Sequence, residues 1–114
     1  MDKVAEILVM MEHITNFFQI MFEQNGMKVT ERSNSIAGNS IVFDTGITVS
    51  INTKRVNKND SITVVHCKQG EDVETTSLFM RSEFYHKLNK GDINEWLFNK
   101  VKHTVRHMTV LQDD

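Results

Sequence analysis

The sequence predicts an α+β fold: a long N-terminal helix packed on an antiparallel meander of about five short strands, followed by two C-terminal helices. Three observations carry that prediction. Apolar residues recur at helical spacing over residues 2–24 and again from Leu97 to Met108. Between them, residues 27–80 switch to a period of two. The strands are grouped and do not alternate with helices, which favours an antiparallel sheet over a doubly wound one.

The first helix is defined by Val4, Ile7, Met11, Ile14, Phe18 and Met21, whose 3-4-3-4-3 spacing is the a/d rhythm of a heptad. Leu8, Met10, Phe17 and Phe22 widen that seam to about half the helix circumference. Asn25-Gly26 ends it, with glycine suited to a left-handed C-cap. Two arrangements suit so wide an arc. A curved sheet cradles the helix, or the helix is shared with a second subunit. Val9 and Ile20 lie on the opposite side, near a polar strip of Glu12, Asn16, Gln19 and Glu23. These two are the residues expected to touch a partner.

A short strand begins at Met27-Lys28-Val29-Thr30. Ile41-Val42-Phe43 and Ile47 to Ile51 flank Asp44-Thr45-Gly46, a tight hairpin with glycine at the positive-φ position. Along the second arm Ile47, Val49 and Ile51 face one way while Thr48, Ser50 and Asn52 face the other, the pattern of a half-buried strand. Lys54 to Asp60 is a polar loop. In the next strand Ile62, Val64 and His66 alternate with Thr63, Val65 and Cys67. Gly70-Glu71-Asp72 turns the chain into a last strand, Val73 to Met80, for which both registers are open. Ser82 is placed to cap a short helix ending near Asn89. After Gly91, Asp92-Ile93-Asn94-Glu95 matches a capping box with aspartate at its head. Leu97, Val101, Val105 and Met108 form the stripe of the final helix.

At 114 residues the chain predicts one domain spanning 1–114. Lysine and arginine total 13 and aspartate and glutamate 15, so the formal charge is −2 and no general polyanion binder is indicated. The single cysteine, Cys67, excludes an intrachain disulfide and a multi-cysteine zinc site. Asp2 and Glu6 precede the N-terminal apolar stretch and Glu12-His13 interrupt it, which argues against a secretory signal and against a membrane span. The expected address is the cytoplasm. Phe, Tyr, Met, Ile, Asn and Lys make up 43 residues, while Gly, Ala, Arg and Pro make up 11. That bias follows AT-rich codons and is compatible with a phage or mobile-element gene.

Candidate chemistry is sparse. His103 and His107 stand four apart on the last helix, a metal-ligand spacing, with His66, His86 or Asp92 as a possible third ligand. No glutamate follows His103, so the zinc-protease pattern is missing. Lys100, Lys102 and Arg106 make the same helix locally basic, with Trp96 as a stacking side chain at its edge. Lys54, Arg55 and Lys58 add three cations, and together the two groups form a nucleic-acid footprint if the fold brings them together. The ordinary role of cations late in a helix is to complement its dipole. His66 and Cys67 are adjacent on a strand, so they point to opposite faces and make no catalytic pair. Asp44, Asp60, Glu71, Asp72, Glu74, Asp92, Asp113 and Asp114 fall in turns, loops, edges or the tail, not in a carboxylate pair. No phosphate-binding glycine loop or nucleophile elbow is present, and no cofactor is implied.

The order of helix, antiparallel strands and helices in so short a chain resembles that of type III secretion chaperones. The resemblance is one of element order and fixes no residue. It implies a dimer that holds another protein. Those chaperones are markedly acidic, whereas this chain is nearly neutral. The expectation from the residues themselves is a non-enzymatic protein-binding module, an inhibitor or adaptor that occupies a partner protein, with a homodimer possible. Val9, Ile20 and Trp96 are its expected contacts, and a nucleic-acid binder using the basic helix is the alternative.

Overall fold

A computed structural model describes residues 2–71 and 73–110. Asp72, Asp113 and Asp114, assigned above to a turn and the tail, lie outside the described residues. The architecture is the α+β order expected: α1 (Lys3–Gln24), then β1 (Val29–Ser35), β2 (Gly38–Phe43), β3 (Ile47–Arg55), β4 (Ser61–Gln69) and β5 (Val73–Met80), then α2 (Arg81–Lys90) and α3 (Ile93–Val110). The five strands form one antiparallel sheet in sequence order, β1 to β5. All three helices pack on one of its faces.

The sheet face beneath the helices is built by alternation. Ile41 and Phe43 of β2, Ile47, Val49 and Ile51 of β3, Val65 and Cys67 of β4, and Phe79 of β5 are all buried. The intervening residues Thr48, Ser50, Val64, His66, Thr76 and Leu78 form the opposite face, which no described helix covers. On β5 this decides the register left open above: Glu74 and Thr76 are exposed, Thr75 and Ser77 half-buried. α1 and α3 supply the other half of the core, through Met10, Met11, Ile14, Phe18 and Phe22 and through Trp96, Leu97, Val101, Val105 and Met108. Each fully buried large side chain contributes about 1.5–3 kcal/mol by leaving water.

Four details depart from the sequence reading. First, the heptad seam of α1 is buried at Met11, Ile14 and Phe18 but not at its start, where Val4 is 64% exposed; of the residues expected to widen it, Met10 and Phe22 are fully packed while Leu8 is 41% exposed. The sheet under the first turns of α1 is polar there (Thr53, Arg55 and Ser61), so it offers those side chains little apolar floor. Second, the polar strip of α1 does not all face water. Arg32 on the edge strand β1 donates to Glu12 Oε1 at 2.8 Å and to Gln19 Oε1 at 2.6 Å. Buried Asn39 donates to Thr15 Oγ1 at 3.0 Å. Third, Ser82 is not the cap of α2. Its backbone N–H and its hydroxyl both donate to Asp60, which reaches in from the β3–β4 turn. Fourth, Lys54 and Arg55 belong to β3 and not to the loop.

Gly26, Gly46 and Gly91 have positive φ at the expected chain reversals. Gly38 has a stricter requirement. A Cβ there would lie 2.8 Å from the Ile51 carbonyl oxygen and closer still to Asn52 Oδ1. Only glycine lets β2 approach β3 at that point.

Candidate functional site

An open apolar groove of about 830 Å³ runs along the outer side of α1. Leu8, Val9, Phe17 and Ile20 of α1 form its wall, and Ile36 at the tip of the β1–β2 hairpin forms one end. Val9 is 42% exposed, Ile20 51% and Ile36 90%. Glu12, His13, Asn16 and Asn34 supply its polar atoms. Val9 and Ile20, singled out in the sequence because they lie off the core seam, are thus brought into one surface. Ile36 carried no such signal. In the sequence it reads as an isolated apolar residue between Ser35 and Ala37, and only the hairpin sets it beside α1.

The structure gives Trp96 a different place. It is 9% exposed, packs edge-on against Phe79 and Phe84, and donates its indole N–H to Glu83 Oε1 at 2.6 Å. The Lys100 ammonium sits 5.0 Å from its ring centre. Trp96 is thus largely packed between α2 and β5, with only its margin at the surface.

The basic residues divide. Lys100 Nζ donates to the Leu78 carbonyl at 3.0 Å and lies 5.3 Å from the Phe79 ring, so it seals the outer edge of β5. Lys102 lies over Phe98 at 5.6 Å, and Arg106 is exposed. Arg55 and Lys58 line a second groove beside the N-terminal half of α1, while Lys54 alternates to the other face of β3. Lys100 lines a different depression, with Lys87, Glu95 and Trp96. Arg55 and Lys58 thus line one depression and Lys100 another.

His103 and His107 are both exposed on α3. Among the described residues no three His, Cys, Asp or Glu side chains converge as a metal site. His66 is engaged elsewhere, its ring 3.2 Å from Glu74 Oε1 and 3.2 Å from Thr76 Oγ1. His13 stacks edge-on against Phe84, and Cys67 is fully buried. Burial pushes the Cys67 thiol up to about 12, the opposite of an activated nucleophile.

Among the described residues no helix is long and apolar enough to cross a membrane. Fold and surface together define a class: an α+β protein with helices on one face of a five-stranded meander and an open apolar groove on its first helix. Compared with known proteins, the chain matches no family model, no curated protein and no solved structure.

Proposed function

We propose that this chain is a small non-enzymatic protein-binding module, an inhibitor or adaptor that acts by occupying a partner protein through the groove on α1. One observation carries the reading. Leu8, Val9, Ile20 and Ile36 are exposed and line one groove, with polar atoms of Glu12, Asn16 and Asn34 around them. Contiguous apolar surface rimmed by polar groups is the ordinary form of a protein interface. The cytoplasm is its proposed setting, supported by a lone buried thiol. A phage or mobile-element origin is supported by the codon bias.

The test is photo-crosslinking in the native host, with a benzophenone amino acid at position 20 and a control at position 107. One predominant adduct with another protein is expected from position 20, and none when Val9 is also changed to glutamate. No adduct from position 20 sinks the reading, and an adduct only with this chain reassigns the groove to a homodimer.

A further inference from the structure

The other flank of α1 carries a second groove, of about 470 Å³, within the size range of small-molecule sites. Val4, Ile7, Leu8 and Met11 form one wall, and the hairpin tip at Ile36 and Ala37 closes one end. Its floor is the end of the sheet, where the buried face turns from Ile51 and Val65 to Thr53, Arg55 and Ser61.

Charge points to a ligand there. Lys3, Arg55 and Lys58 surround the groove, and among the described residues none of them pairs with a carboxylate. Asp60 also lines it, but its oxygens accept from Ser61 and Ser82. Arg81 is held by Glu6. The groove is therefore net positive on a chain whose formal charge is −2.

An apolar wall and a cationic rim fit a ligand with an alkyl body and an anionic head. No aromatic ring lines the groove, so nothing there stacks a nucleobase. We propose that this groove binds a medium-chain carboxylate, the alkyl chain along Val4, Ile7, Leu8 and Met11 and the carboxylate among Lys3, Arg55 and Lys58. The two grooves share Leu8, Met11 and Ile36, but Val9 and Ile20 line only the proposed protein-binding groove.

Isothermal titration of the full chain with decanoate, below its micellar concentration, tests this. Saturable binding at one site is expected, with no saturable binding of decylamine. Lys58→Glu weakens decanoate binding by about tenfold, the loss of one charge-assisted contact. Val9→Glu with Ile20→Glu leaves it unchanged, so failure of either groove is read separately. Circular dichroism confirms that each variant is folded. Absence of saturable decanoate binding overturns the proposal. So does equal binding of decylamine, which would make the groove merely greasy, or equal binding of hexaglutamate, which would make it a general patch for acidic peptides.

Discussion

Arg81 donates from Nη1 to Glu6 Oε2 at 2.8 Å, joining the first residue of α2 to the first turn of α1. Its Nη2 donates to the Asn59 carbonyl at 2.8 Å, so the same guanidinium also holds the β3–β4 turn. The two charged side chains are only 18% and 25% exposed. Tyr85 adds a bond from its hydroxyl to the Glu6 carbonyl at 2.6 Å. Three elements distant in sequence thus meet at one cation. Arg81→Met should destabilise the fold by about 1–3 kcal/mol, because it leaves Glu6 and the Asn59 carbonyl without that donor. Urea unfolding measures it, and an unchanged midpoint would show that the clamp contributes nothing.

Asp60 provides the cap of α2 from outside the helix, and its titration reports the cap. Burial works against its charge. Bonds from the Ser82 hydroxyl, from the N–H groups of Ser61 and Ser82, and the nearby Arg81 outweigh that, so its carboxyl is held below the ordinary 3.8. A depressed folded value means the contribution is whole above the unfolded value and lost as pH falls through the folded one. Asp60→Asn should therefore cost about 1 kcal/mol at neutral pH, as a lost N-terminal cap does. The gap between the two proteins should close on acidification to about pH 2. Thermal melts at both pH values check this, and a gap independent of pH would assign the effect to shape alone.

Cys67 lies on the buried face of β4 between Val49 and Thr75. With its thiol pushed up to about 12, almost no thiolate forms in neutral or mildly alkaline buffer. Ellman's reagent should leave the native protein unlabelled and react fully once denaturant is added. Labelling should follow the unfolding rate and not the reagent concentration. Rapid reaction in native buffer would place the thiol at the surface.

What could be read in advance depended on whether one element or several decide a residue's place. The alternation of β3 and the stripe of α3 are local patterns, and both hold residue by residue. The β1 segment Glu31 to Ser35 is polar throughout and showed no period of two. It is a strand because it is an edge, with water on one side and Glu12 and Gln19 receiving Arg32 on the other. Val4 belongs to a sound heptad, yet the sheet beneath it has turned polar. Trp96 sits at the margin of its helical wheel, and only the packing of α2 and β5 buries it. The cap at Ser82 comes from 22 residues away, beyond any capping motif. Of the groove on α1, the sequence showed Val9 and Ile20 as strays from the core seam but not Ile36, which a hairpin brings to them.

The two faces of α1 should respond oppositely to substitution. Phe18 is fully buried and meets Phe79 edge-on, so Phe18→Ala should cost about 3–5 kcal/mol. Val9 and Ile20 touch the groove and keep 42% and 51% of their surface in water. Changing both to glutamate removes little packing and replaces two β-branched residues by better helix formers. The double variant should keep its stability to within about 0.5 kcal/mol for each site. Urea denaturation of the three proteins measures the contrast. If the double glutamate variant unfolds as readily as Phe18→Ala, Val9 and Ile20 hold the fold and are not surplus to it. If it stays as stable as the parent, folding does not account for two large apolar residues on a wet helix face.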